Sequence, residues 1–584
     1  MIETSMKERI KAFIQKSLEP FIDGQTIEVQ VDEQPQFGDY STNIALQCFK
    51  RIKTDTQGIF LHQQAVREST PQGLAHQMVD IMNSQLPPFL SKVEVAGSGF
   101  INFYLSDATL VEQTLAIATD AASTIAQSGK GKKIIVEYSS PNIAKPFTVG
   151  HLRSTIIGDA LANLFEVQGW EVHRDNHLGD WGTQFGKLIA AIKEWPEDFE
   201  KITTAQKPVD VLVNLYIKFH QEAEHDLSLE EKGRAWFKKL EDGDQEAREL
   251  WQQCINWSWQ EFNRIYKELG IDTEKFENNG RGYGESFFED KMQPVIDELR
   301  QKGLLHEGKE GAQIVEFPDE KYPPLMILKK DGATLYATRD LATDKFRLQH
   351  YGSDITIVNE VGAEQSLYFK QLFELEYMLR WYKPGQRVHV GHGFFRLKQG
   401  KMSTRKGTVI WLEDVIDEAV GRATLFGNHD QQTARKVGIG ALKWSDLKRS
   451  AHLDVIFDWD EVLNMQGNSG PYIQYTAVRA QSVLDKAGAI QEAKPRAFDE
   501  SERLLASKLQ KFGECINTAA SEYAPHYVCT YLYELAQAYN AFYNKDNILD
   551  AGEETALRLR LTQATAKTLT LGLEILGIQV PEKM

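Results

Sequence analysis

At 584 residues the chain is too long for one hydrophobic core, so several domains are expected, and with 42% hydrophobic and 26% charged residues it reads as globular and soluble. No apolar run approaches the roughly 18 residues that a bilayer span needs, and the opening MIETSMKERIKAFIQ reads as an amphipathic helix, not a secretory leader. A net charge of −17 argues against a protein that coats nucleic acid nonspecifically, because the whole-molecule field repels phosphates and only local basic strips could hold such a partner.

Residues 1 to about 110 read as an α/β domain of their own: an opening helix, a strand over 27–31, a turn and helix in PQFGDYSTNIALQCFKRIK, and a strand in FINFYL (100–105). Gly38 and Asp39, with Ser41 and Thr42, fit ordinary turn and N-cap chemistry as well as they fit a functional loop. A polar helix (108–127) and the basic turn SGKGKK (128–133) follow, so that 111–132 forms a linker. SGKGKK lacks the GxxxxGK[ST] spacing of a phosphate loop, and the stretch from Gly182 to Lys187 fails the same test because Leu188 stands where a magnesium-binding hydroxyl belongs.

The chemistry concentrates between Ile134 and Leu188. A β-branched run (Ile134, Ile135, Val136) meets a turn rich in Ser, Pro and Asn, and an amphipathic segment follows from Gly150 to Gln168, giving strand, loop, helix. The loop delivers Thr148, Gly150 and His151 to a helix start, where unpaired backbone N–H groups and the helix dipole favour a phosphate. His173 and His177 flank a strand end and would not share a helical face as metal ligands, and Cys48, Cys254, Cys515 and Cys529 are scattered without a CxxC pair. No structural metal or disulfide framework is read, and a reducing cytoplasm is expected.

From about 190 to 280 the pattern is helical and strongly charged, with Trp236, Trp251, Trp257 and Trp259 as core residues, an insertion between two halves of a nucleotide fold. The second half resumes with LMILKK (325–330), ITIVNE (355–360) and RVHVGHG (387–393), which alternate with helical patterns at 336–350 and 364–380. This implies a parallel sheet with ligands at the strand C-termini. Beyond the cationic loop at Lys401 the pattern is helical at 412–426, 431–443, 472–488, 500–519, 524–546 and 554–577, the last four forming a bundle.

SSPNIAKPFTVGHLRST resembles the nucleotide-binding signature of class I aminoacyl-tRNA synthetases in their arginyl form, and KMSTRKG (401–407) resembles that family's second signature. GDWGTQFGK (179–187), LYATRD (335–340), GAEQSLYFKQ (362–371), GPYIQYTAVRA (470–480) and the final VPEKM extend the resemblance over essentially the whole chain. It implies a multidomain α/β architecture. An N-terminal α/β domain (1–110) contacts the tRNA elbow. A Rossmann-like parallel-sheet catalytic domain (133–410) carries the insertion at about 190–280. A helical stem (411–460) leads to a helical anticodon-binding domain (461–584).

The implied activity is ATP-dependent formation of arginyl-adenylate and transfer of arginine to the 3′ end of tRNA(Arg), with tRNA needed for activation and ATP with Mg2+ as co-substrate. A cytoplasmic monomer is expected. By the same resemblance His151, Lys401, Arg405 and Lys406 are catalytic, Thr148, Gly150, His151, Lys401, Met402 and Ser403 bind ATP, and Glu137, Asn142, Tyr336, Asp340 and Gln365 bind arginine. Tyr336 and Asp340 are four apart in a helical pattern, so both can face one pocket. The glycines flanking KMSTRK suggest a mobile hinge.

Two positions depart from the family pattern. Thr148 stands where the first histidine is usual, and Thr404 replaces the second lysine, leaving Arg405 or Lys406 to supply the charge. A rival reading is a tRNA-binding protein that kept the fold and lost catalysis. Retention of His151, Lys401 and the pocket candidates speaks against it.

Overall fold

A run of β-branched residues buried on both faces sets the centre of the molecule: Ile134, Ile135 and Val136 are each at most 1% exposed, the pattern of a strand covered by helices on either side. The computed structural model describes residues 5–19, 38–54, 70–143, 145, 147–397, 411–427, 430–493 and 496–584. The strand expected over 27–31 and the KMSTRKG segment lie outside them. The chain divides into two compact units, one of Met1–Gln127, Ile473–Ala519 and Thr530–Gly572, the other of Ser128–Tyr472, Ala520–Cys529 and Leu573–Met584.

In the first unit, helix Met6–Leu18 starts at Ser5, whose hydroxyl accepts from the Glu8 N–H, and it buries Ile10, Ile14 and Leu18 as one stripe. The strands β1 (Tyr40–Thr42), β2 (Leu90–Ala96) and β3 (Phe100–Leu105) form an antiparallel sheet in the order β1-β3-β2. FINFYL is the expected strand; β2 escapes a periodicity reading because an irregularity between Leu90 and Lys92 breaks its alternation. Asp39 proves to be a fastening: its carboxylate accepts from the Leu105 N–H (2.8 Å), Arg503 Nη2 (2.8 Å) and Ser507 Oγ (2.6 Å), joining the sheet to helix Glu500–Leu509.

The single helix expected over 500–519 is two, Glu500–Leu509 and Phe512–Ser521. The Tyr531 hydroxyl donates to the carbonyls of Lys508 (3.0 Å) and Leu509 (3.4 Å), and the Lys511 N–H also turns back to Lys508, so the helical ladder stops there.

The second unit is built on a parallel sheet. β4 (Lys133–Glu137) runs through helix Val149–Val167 into β5 (Glu171–Asp175). The charged insertion then forms helices, among them Pro208–Ala223, Ser228–Glu241 and Gln245–Leu269. Trp259 is buried and the other three insertion tryptophans are half-buried, as core residues should be.

LMILKK departs from expectation. It forms β8 (Leu325–Leu328), which joins β6 (His306–Glu307) and β7 (Gln313–Val315) in a separate antiparallel sheet ordered β6-β7-β8. The link from β7 explains this: only residues 316–324 separate the two strands, and the chain turns tightly within them at Pro318–Glu320, where Asp319 and Glu320 sit at φ +54 and φ +52. A tight turn of this kind reverses the chain at once, whereas a parallel neighbour needs a long crossover.

Helix Tyr336–Tyr351 then leads to β9 (Thr356–Gly362), and helix Ser366–Leu379 to β10 (Arg387–His392). The parallel order is β10-β9-β4-β5. β4 therefore continues outward to one side and β9 to the other, and ligands in such sheets bind at the carboxyl ends where that reversal occurs. β11 (Phe395–Leu397) pairs parallel with β12 (Val455–Phe457).

Candidate active site

At the carboxyl end of β4 the chain turns sharply, with Ser139 at φ +73 and Ser140 at φ +39, a region non-glycine residues enter at a cost. The turn is held from the helix that follows. The Ser139 N–H donates to Ser154 Oγ (2.9 Å), Ser139 Oγ meets Thr155 Oγ1 (2.7 Å), and Ser154 Oγ donates to the Glu360 carbonyl of β9 (3.1 Å). The first turns of helix Val149–Val167 thus clasp both strands at the switch point.

Thr148 is the N-cap of that helix, and its backbone N–H donates to His151 Nδ1 (3.0 Å), with its hydroxyl at the same distance. An Nδ1 that accepts leaves the ring proton on Nε2. Burial holds the His151 pKa below its ordinary value. The imidazole is therefore a neutral Nε2–H donor at a helix N-terminus, suited to an anionic oxygen.

Lys401, Met402, Ser403, Arg405 and Lys406 lie outside the described residues. The chain resumes at Trp411, which bridges to Thr148, and the Leu412 N–H bonds to the Phe147 carbonyl at 2.9 Å. The segment following the second signature thus returns beside the first.

A cavity of about 280 Å³ opens at the ends of β4 and β9. Four of the residues expected to hold the amino acid line it together: Glu137, Tyr336, Asp340 and Gln365. Asn142 is not on this lining. It bridges to Gly179, whose missing side chain leaves room for Asn142 Oδ1, 2.3 Å from where a Cβ would stand. The lining also includes Ser140, His177, Asp344, Arg347, Asn359 and Tyr368, which the sequence reading did not place there. A signal existed for some of them, since Tyr336, Asp340, Thr343, Asp344 and Arg347 recur at helical spacing along one face. Ser140 Oγ is buried and has no partner among the described residues.

Beneath the cavity lies a buried ionic network. Arg347 bonds to Glu137, to Asp175 (2.6 Å) and to Asp344 (3.1 Å), while Arg387 pairs with Asp344 (2.8 Å) and Glu376 (3.0 Å). Burial penalises the charge of Glu137, but Arg347 and then His177 hold its pKa below the usual carboxylate value. Arg387 and Arg347 likewise overcome burial to hold Asp344 low. Glu376 goes the other way: burial, with Asp344 close by, pushes it well above its ordinary value despite Arg387, so it carries the proton of that pair.

Among the described residues Asp340 has no arginine or lysine against it. Tyr368 donates its hydroxyl to Oδ2 and His177 Nε2 stands 3.9 Å from Oδ1. Burial raises the Asp340 pKa, with His177 and Tyr368 opposing and Glu137 and Asp344 reinforcing. Burial likewise raises the nearby Glu285 carboxyl, with Arg339 and His177 opposing. A half-buried carboxylate in a cavity, without a cation against it among the described residues, is suited to receive one from outside.

Known proteins resemble the chain over its full length. The family described as tRNA synthetases class I (R), catalytic domain, matches residues 112–459. The Arginyl tRNA synthetase N terminal domain matches 4–105, and the DALR anticodon binding domain 473–584. The arginine–tRNA ligase of Clostridioides difficile is 37% identical over 597 residues, spanning 100% of this chain and 99% of that protein. That of Clostridium kluyveri is 38% identical over 595 residues, spanning 99% of each. Among solved structures, the Plasmodium falciparum arginyl-tRNA synthetase superposes with a TM-score of 0.80 at 25% identity over 100% of both chains. The Thermus thermophilus arginyl-tRNA synthetase shares the fold at a TM-score of 0.79, with 23% identity over 99% of this chain and 100% of that one. With the catalytic family alone covering more than half of its residues, and relatives this similar from end to end, the chain belongs to the arginyl-tRNA synthetases of class I.

Proposed function

We propose that the chain is an arginine–tRNA ligase that works in two steps. In the first, a carboxylate oxygen of arginine attacks the α-phosphorus of ATP, forming arginyl-adenylate as pyrophosphate departs. In the second, a terminal ribose hydroxyl of tRNA(Arg) attacks the activated carbonyl and AMP leaves. The observation that carries this reading is the half-buried Asp340 carboxylate, which lines a cavity at the crossover of a nucleotide fold with no arginine or lysine against it among the described residues.

The arginine guanidinium pairs with Asp340 beside Tyr336, Glu137 and Gln365 serve its remaining polar groups from the cavity wall, and Asn142, off that lining, contacts the amino acid only at its outer end. Planar guanidinium geometry rewards such acceptors where a lysine ammonium does not. Reaction on phosphorus demands donors placed in advance, not a protein nucleophile. His151 supplies one through Nε2–H at the helix start that also offers Gly150, and Lys401, Arg405 and Lys406 neutralise the departing pyrophosphate, with Thr148, Met402 and Ser403 completing the nucleotide contacts. Mg2+ enters as part of the ATP substrate.

Thr148 and Thr404 leave fewer imidazole and ammonium donors than the usual signatures, so bound tRNA completes the site and activation of arginine depends on it. The domains at 1–110 and 461–584 grip the tRNA elbow and anticodon, on either side of the linker (111–132), the catalytic domain (133–410) and the stem (411–460). The enzyme acts as a cytoplasmic monomer. No helix among the described residues is long and apolar enough to cross a membrane, which supports this placement.

The test is aminoacylation of total tRNA with each amino acid in turn, alongside arginine-dependent ATP–pyrophosphate exchange with and without tRNA. Charging with arginine alone is expected, with exchange only when tRNA is present. Charging with another amino acid, or none, overturns the reading.

A further inference from the structure

The cavity wall facing Asp340 is made by His177, which follows β5 and which neither catalysis nor metal binding has claimed. Its Nδ1 lies 3.2 Å from the backbone carbonyl of Tyr283. A carbonyl only accepts, so Nδ1 must carry a hydrogen. In its neutral form the ring therefore presents the Nε2 lone pair to the cavity, 3.9 Å from Asp340 Oδ1. That gap is beyond a hydrogen bond, so ring and carboxylate are two separate acceptors facing one space. Two of the polar groups nearby are engaged elsewhere: Tyr368 donates to Asp340 Oδ2, and Arg347 is spent on Glu137, Asp175 and Asp344. The ring is held in place, packed 5.6 Å from Phe288 centroid to centroid, with its side chain 14% exposed.

We propose that His177 is a specificity-determining residue whose Nε2 accepts a hydrogen bond from a terminal N–H of the substrate guanidinium, beside the bond that Asp340 accepts. A guanidinium offers only donors, five of them in one plane, and two acceptors set apart in a wall match its fork. An ammonium, a single point of charge, can sit on Asp340 alone. This inference rests on the assignment of the cavity to arginine.

Two substitutions separate a ligand contact from a scaffolding role, because each keeps one nitrogen of the ring. His177→Asn keeps a donor for the Tyr283 carbonyl and loses the group at Nε2. His177→Gln reaches the Nε2 position with an amide oxygen and loses the donor to Tyr283. Binding of radiolabelled arginine to the full chain with tRNA present, by equilibrium dialysis on variants with parental circular dichroism, is expected to be weakened about 10- to 100-fold by the Asn variant, the loss of one hydrogen bond to a charged group. Gln should recover most of that loss.

The proposal is overturned if Asn binds arginine as tightly as the parent, or more tightly, as it would if a protonated ring competed for Asp340. It is also overturned if Gln is the weaker variant, which would mark His177 as a support for Tyr283. Asp340→Asn is the control for the cavity itself: arginine binding unchanged in that variant removes the underlying assignment, independently of which His177 variant fails.

Discussion

At the scale of single residues, the site is organised by how each carboxylate is compensated. In the proposed reading Asp340 is a carboxylate whose charge waits for the substrate, and this fixes the sign of a pH effect. Burial raises its pKa, a proton and a guanidinium compete for the same oxygens, and the guanidinium stays charged throughout the accessible range. Arginine binding is thus complete above the raised Asp340 pKa and lost as pH falls through it, at a higher pH than an ordinary aspartate of about 3.9 would give. The acid limb of kcat/KM for arginine should report this, and Asp340→Asn should abolish the limb along with most of the affinity. Asp340→Ala should raise KM for arginine by roughly 100-fold or more, as loss of a charge-assisted pair demands, while KM for ATP moves little. An Ala variant with parental KM for arginine would remove Asp340 from the pocket. His151→Ala makes the opposite split: slower adenylate formation in single-turnover measurements, by about 100-fold for a lost transition-state donor, with arginine affinity nearly intact. A defect confined to arginine binding would contradict its role.

At the scale of elements, helix Val149–Val167 does more than present His151. Arg153, two residues on, is 1% exposed and all three of its nitrogens donate: Nε to Asp446 (2.9 and 3.2 Å), Nη1 to the carbonyls of Gly393 (2.7 Å) and Leu453 (2.8 Å), Nη2 to that of Ala451 (3.1 Å). One guanidinium pins the catalytic helix to the chain entering β11 and to the loop before β12. Arg153→Leu leaves Asp446 buried without its cation and the Gly393 and Leu453 carbonyls without this donor, and should cost about 3–5 kcal/mol, read from the urea midpoint; a cost within error of zero would show the network to be idle.

The helix and its cap were legible in the sequence because strand, turn and helix follow each other locally. So was the face carrying Tyr336 and Asp340. What sequence periodicity could not supply is pairing partners. LMILKK has the composition of a parallel core strand and becomes an antiparallel one because the short turn through Pro318-Asp319-Glu320 brings it back beside β7, a signal present in the residues but outweighed by the alternation around it. The break after Leu509 has no local signature at all, since it depends on a hydroxyl from Tyr531. His177 was visible only as half of a histidine pair, because its partners, the Tyr283 carbonyl and Asp340, come from distant parts of the chain.

At the scale of the whole molecule, a net charge of −17 has to be reconciled with a polyanionic substrate. The two effects act over different ranges. Close contacts between basic side chains and phosphates release counterions, and their contribution falls as salt rises. The field of the whole protein acts beyond the contact zone, repels tRNA, and is itself screened over a Debye length of about 8–10 Å near physiological ionic strength. Salt therefore weakens the bound complex while easing the approach. The association rate constant for tRNA should accordingly lie near the unsteered range of about 10⁵–10⁷ M⁻¹s⁻¹ and change by less than about threefold between roughly 50 and 200 mM salt, because relief of repulsion offsets loss of local attraction. The salt sensitivity of affinity should appear in the dissociation rate. Stopped-flow fluorescence with labelled tRNA(Arg) measures both. An association rate that starts near 10⁹ M⁻¹s⁻¹ and collapses with salt would mean that a local basic surface, not the net charge, governs the field the tRNA meets.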